Sequence, residues 1–141
     1  MKPLDQLLTE IKACEICSDE LSLGPRPVIQ IDCESRLLIV GQAPGIKVHK
    51  TGVPFDDSSG NRLREWLGIS KEDFYDPKKV AILPMGFCYP GKGKSGDLPP
   101  RSECAPAWRE QLLSHLNAVE LTLVIGQYAQ AYHLEQKGRS V

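Results

Sequence analysis

An α/β domain with a parallel central sheet is the fold this sequence predicts, and three observations predict it. Short continuous apolar runs occur three times, at Arg36-Leu37-Leu38-Ile39-Val40, Val80-Ala81-Ile82-Leu83 and Leu121-Thr122-Leu123-Val124-Ile125. That is the length and composition of strands in a parallel sheet. Helical patterns lie between and around the runs, and alternation of strand with helix implies right-handed crossovers. The chain has 141 residues, 41% hydrophobic and 25% charged, enough for one core and too little for two. The expectation is one three-layer domain over residues 1–141, with helices flanking a sheet of three visible strands.

The elements follow in order. Leu4, Leu7, Leu8 and Ile11 recur at helical spacing, so a first amphipathic helix runs from about Pro3 to Ala13. Gly24-Pro25-Arg26-Pro27 breaks it into a connecting stretch. The first strand stops at Gly41, and a long loop leads to a helix over 61–67 with Leu63, Trp66 and Leu67 turned inward. After the second strand a helix is expected from Pro106 to Leu116, with Trp108, Leu112, Leu113 and Leu116 on one side. Gly126 ends the third strand and opens a last helix holding Ala129, Ala131, Tyr132 and Leu134. In parallel sheets ligands bind beyond the carboxyl ends of strands. The loops there are Gly41-Gln42-Ala43-Pro44-Gly45, Pro84-Met85-Gly86-Phe87-Cys88 and Gly126-Gln127, and the site is expected among them.

Composition excludes several classes. No apolar run reaches membrane-span length, and Met1-Lys2-Pro3-Leu4-Asp5 is not a secretory start, so a cytoplasmic protein with no membrane partner is expected. A net charge of −1 gives no global field for nucleic acid, so any such contact must come from a local basic patch. Gly86 to Lys92 nearly spells a phosphate-binding loop. Gly93 stands where Ser or Thr is needed, however, and Pro99-Pro100 forbids the helix that must follow. No G-x-G-x-x-G turn follows the first strand, which excludes a dinucleotide fold.

Five cysteines in a reducing compartment are not expected to form a disulfide framework, and their odd number agrees. Cys14-x-x-Cys17 with Cys88 and Cys104 has spacing that admits a zinc ion, an iron–sulfur cluster, or simply buried unligated thiols. Cys33 is left over.

Glycine at 41 and 45 permits close approach to backbone, Pro44 stiffens the turn, and Gln42 is presented at the strand end. Gly41 to Gly45 resembles the Gly-Glu-Ala-Pro-Gly motif of the iron–sulfur (family 4) uracil-DNA glycosylases. Lys50-Thr51-Gly52-Val53-Pro54-Phe55 is similar to that family's next motif, and Leu123-Val124-Ile125-Gly126-Gln127-Tyr128-Ala129 to its third strand and following helix. The resemblance implies a base-flipping hydrolase that cleaves the N-glycosidic bond of uracil, or a related deaminated base, in DNA. It places Gln42 at the reaction centre, with Gly41, Ala43, Pro44 and Gly45 around the uracil and sugar, and Phe55 stacked on the everted base. Taken alone, Phe55 would pass for a core aromatic. The resemblance assigns Cys14, Cys17, Cys88 and Cys104 to a structural 4Fe-4S cluster.

Three departures accompany it. The family's glutamate is Gln42, which cannot take a proton but can orient a water or donate to a base edge. Asp56 or Asp57 could bring a carboxylate nearby, though both read first as solvated loop charges or turn formers. The asparagine four residues before the family's third cysteine is Pro84 here, leaving the backbone at Met85 and Gly86 to read the base. The family's fourth strand and histidine loop are absent, so the chain reads as a shortened member with an exposed sheet edge. His133 lies too early to replace that histidine, and His49 and His115 read as surface or helix residues. Lys92, Lys94 and Arg101, in the loop between Cys88 and Cys104, are candidates for DNA phosphates. The alternative is a non-catalytic, cluster-bearing or zinc-bearing nucleic-acid-binding relic. Oligomeric state is left open.

Overall fold

The computed structural model describes residues 2–134. Its centre is a three-stranded parallel sheet made of β1 (Leu37–Val40), β2 (Val80–Ile82) and, after a small hairpin described below, β5 (Leu121–Val124), in the order β2-β1-β5. Leu37 pairs with Val80 on one side and Leu121 on the other, so the three carboxyl ends lie together. The outer edge of β2 is covered: Gln30 forms an antiparallel bridge to Ile82, and its side chain donates to the Phe74 and Val80 carbonyls.

Strand side chains alternate, and each face of the sheet feeds its own core. Leu38, Val40, Ala81 and Leu83 join Leu7 and Ile11 of α1 (Leu4–Lys12), Leu112 of α5 (Glu110–Leu113) and Ala129 of α6 (Gln127–Leu134). Ile39, Val80 and Ile82 join Leu63 of α3 (Ser58–Leu67) and Phe74 of α4 (Lys71–Phe74). Helices on both faces of one parallel sheet make this an α/β domain.

Several elements depart from expectation. The helix expected from Asn61 begins at Ser58, because Asp57 caps it by accepting from the Gly60 N–H at 2.8 Å. Trp66 is 77% exposed, not inward. The buried stripe of α3 runs through Gly60, Leu63 and Arg64, and at about 100° per residue Trp66 falls well off it. The long loop after β1 contains a further helix, α2 (Ile46–Thr51). The helix expected from Pro106 is π-helical over Ala105–Arg109 before becoming α5. A two-stranded hairpin of β3 (Lys92–Gly93) and β4 (Gly96–Asp97) lies between Cys88 and Cys104. Leu121 on β5 is 62% exposed, and no other strand among the described residues pairs with its free side. No helix among the described residues is long and apolar enough to cross a membrane.

Candidate functional site

The backbone hydrogen bonding of the sheet continues past the strand ends and holds the first loop open. The Met85 and Gly86 N–H groups donate to the Gly41 and Gln42 carbonyls at 2.9 and 3.0 Å, and the Ile125 N–H donates to Val40 at 2.8 Å. The start of the loop, Gly41 and Gln42, is therefore held beside the continuation of β2, and Gln42 projects its side chain from there. A cavity of about 260 Å³ opens over this loop, lined by Gly41, Gln42, Ala43, Pro44, Gly45, Pro54, Phe55, Pro84 and Ile125 among others. A Cβ built on Gly126 would stand 3.8 Å from Gln42 Oε1, so the amide reaches across the mouth towards the end of β5.

Phe55 occupies its wall at a conformational cost. Its φ of 58° is in the left-handed region, unusual for a bulky residue. The surroundings over-determine it. Arg64, buried on α3, donates to the Phe55 carbonyl at 3.2 Å and to Tyr75 Oη at 3.0 Å, and Tyr75 donates to the Pro54 carbonyl at 2.7 Å. Gly60 admits this turn, since a Cβ there would lie 1.8 Å from the Phe55 oxygen. The ring sits edge-on to Phe74 at 6.0 Å, and its tip would be 3.5 Å from a Cβ on Gly41. Phe55 is thus both the rim of the second core and a wall of the cavity.

Arg109 fixes the β2 side of the site. Fully buried, it donates to the carbonyls of Leu83 and Pro84 at 3.1 and 3.2 Å and meets His133 Nε2 at 3.1 Å. Burial draws the guanidinium down to about 10, still charged at neutral pH. Burial and the adjacent Arg109 draw His133 down to about 4, so this imidazole is neutral. In the sequence Arg109 is one more polar helix position, and nothing distinguishes it.

A second, apolar pocket gathers Cys14, Cys17, Cys88 and Cys104 with Ile11, Phe87 and Trp108. Trp108 Nε1 donates to Cys14 Sγ at 3.3 Å, and the Phe87 N–H donates to Cys104 Sγ at 3.4 Å. Burial pushes the Cys88 thiol up to about 11 and the Cys104 thiol to about 12, and raises that of Cys17. Among the described residues, no group of three or more His, Cys, Asp or Glu is spaced to hold a single metal ion. Cys33 is exposed and apart.

The remaining candidates are scattered. Met85 is packed in the first core, Gly86 lines the thiol pocket, and both spend their amides on the first loop. Lys92 and Lys94 are exposed on the hairpin. Arg101 faces the thiol pocket and is paired with Glu103 at 2.9 Å. Asp57 and Asp97 both line the loop cavity. Asp97 went unread in the sequence because nothing near it announces that the hairpin folds over Gly45.

The chain is 27% identical over 134 residues to a Type-4 uracil-DNA glycosylase of Thermotoga maritima, an overlap covering 93% of this chain and 65% of that protein. The chain thus spans about two-thirds of the length of the curated relative it matches. A family model described as the uracil DNA glycosylase superfamily matches residues 28–141, a span that takes in the sheet, the three strand-end loops and Phe55. With that match over most of its length, the chain belongs to the uracil-DNA glycosylase superfamily.

Proposed function

We propose that the chain acts as a DNA repair glycosylase, releasing uracil or a related deaminated base by hydrolysis of the N-glycosidic bond after the nucleotide is flipped from the helix. The observation that carries this reading is the cavity at the carboxyl ends of the strands, with Phe55 held against it in a left-handed turn. An unstacked base needs a flat apolar partner, and the Phe55 ring offers one. Gly41, Ala43, Pro44 and Gly45 would line the sugar and base. The Gln42 amide would donate to a carbonyl of the base or accept from a water. Base reading falls to Gln42, because Met85 and Gly86 have no free N–H to offer. Bond cleavage that develops positive charge on the sugar relies on positioning and electrostatics more than on a strong base. Lys92 and Lys94 would meet phosphates beside the cavity.

The four pocket cysteines would hold a 4Fe-4S cluster. The thiolates of such a cluster bind different irons and stand wider apart than four on one zinc, which fits a shared pocket without single-ion spacing. The cluster would supply a structural tie between α1, the loop after β2 and the segment at Cys104. On this reading residues 1–141 form one glycosylase-like domain.

The test is single-turnover release of free uracil from labelled single- and double-stranded oligonucleotides containing one uracil. Release is expected, falling about a hundredfold with Phe55→Ala or Gln42→Ala. DNA binding with no release would instead make this a non-catalytic member of its superfamily.

A further inference from the structure

We propose that Asp97 supplies the carboxylate that the first-strand loop lacks, holding the attacking water and accepting its proton; the assignment rests on the glycosylase reading above. Gln42 cannot act as a base, since a neutral amide has no proton-accepting chemistry at ordinary pH. Two carboxylates reach the same cavity, Asp57 and Asp97. Asp57 is engaged, its Oδ1 accepting from the Gly60 N–H at 2.8 Å as the cap of α3. The Asp97 carboxylate makes no hydrogen bond or ion pair among the described residues.

Its placement is built into the hairpin. Lys92 pairs with Asp97 and Gly93 with Gly96, and Gly96 takes a φ of 118° that favours glycine. Directly after Asp97, the Leu98 N–H donates to the Gly91 carbonyl at 2.8 Å. The Leu98 side chain folds back on the hairpin, lying 3.0 Å from a Cβ built on Gly93 and 3.5 Å from one on Gly91. Successive side chains of an extended segment face opposite ways, so Asp97 is sent outward, over the first loop. A Cβ built on Gly45 would stand 3.8 Å from Asp97 Oδ2. The cavity thus receives a neutral amide from one wall and an uncommitted carboxylate from another.

The chemistry balances with these groups alone. The bond from the sugar C1′ to the base nitrogen breaks, and its electron pair leaves with the base as an anion. The water oxygen bonds to C1′ while Asp97 takes the water proton, later passing it to solvent or the departed base. The products are the free base and an abasic sugar.

The experiment compares wild type with Asp97→Asn, in the full chain, for single-turnover uracil release and for affinity towards an oligonucleotide bearing a tetrahydrofuran abasic analogue. Asp97→Asn is expected to slow release by about a hundredfold or more, the size of a lost general base, and to leave analogue affinity within about twofold, since binding the analogue involves no proton transfer. Adding Gln42→Glu to Asp97→Asn restores a carboxylate to the cavity and is expected to recover about tenfold or more of the rate. Release by Asp97→Asn within about threefold of wild type overturns the assignment, as does a parallel loss of rate and analogue affinity. Wild-type protein that releases no uracil overturns the glycosylase reading itself, and the role of Asp97 with it. The two failures are therefore distinguishable.

Discussion

Arg64 and Arg109 are buried charges, and each is tolerated because its fork of donors is spent on fixed acceptors. Arg64 fixes the Phe55 turn, while Arg109 ties the end of β2 to His133 on α6. The second arrangement has a consequence in acid. His133 has its folded value lowered to about 4 from an ordinary 6.5, first by burial and then by Arg109, with Glu110 opposing weakly. Between these values the unfolded chain binds a proton that the folded chain refuses, so stability is full above pH 6.5 and declines as pH falls towards 4. At this half-buried site the loss should be roughly 1 kcal/mol after solvent screening. Urea denaturation at pH 7 and pH 5 should show a larger fall for wild type than for His133→Gln; equal falls would refute the assignment. At this scale the sequence was partly legible. The strand-end glycines and the four cysteines are marked by residue type and spacing. Arg109 is not, since its partners Leu83 and Pro84 are distant in the chain, and the nearer partners of Arg64 follow no spacing rule.

The turn from Phe55 into α3 tests the same logic at the level of an element. Its two supports differ in kind. Asp57 caps the helix with one hydrogen bond, whereas Gly60 clears space for the Phe55 carbonyl. Asp57→Ala should cost about 1 kcal/mol, the usual worth of a cap. Gly60→Ala places a Cβ 1.8 Å from backbone oxygen, so chain must move, not a flexible side-chain tip, and about 3 kcal/mol or more is expected. Urea midpoints at unchanged m-value measure both. If Gly60→Ala costs no more than Asp57→Ala, the left-handed turn at Phe55 is not held as described. The strands were readable within a residue at each end because a buried run has few alternatives. By contrast, α2 escaped notice because among its six residues Val48 alone is buried, leaving no apolar stripe to read. The hairpin strands have two residues each, too short for any period. Trp66 misled because large aromatics are usually interior, while the stripe of α3 is set by Gly60, Leu63 and Arg64.

For the whole molecule, charge decides how DNA would be held. A net charge of −1 provides no general attraction to a polyanion. Arg101, one of three cations offered by the Cys88–Cys104 segment, is neutralised by Glu103. Binding should therefore lean on a few local cations, Lys92 and Lys94 among them. Each neutralised phosphate contributes about −0.7 to the slope of log K against log salt for a single strand and −0.9 for a duplex. With two to four such contacts the slope should fall at roughly −1.5 to −3.5, and Lys94→Ala should make it shallower by about 1 while weakening binding alike for every sequence. Fluorescence anisotropy on abasic-analogue oligonucleotides across a salt series reads both values. A slope steeper than about −6, or one that Lys94→Ala leaves unchanged, would route the strand over another face. Such a result would separate Asp97 from the DNA path, because Lys92 and Asp97 are paired on the one hairpin. The salt series therefore tests independently whether that hairpin faces the nucleic acid at all.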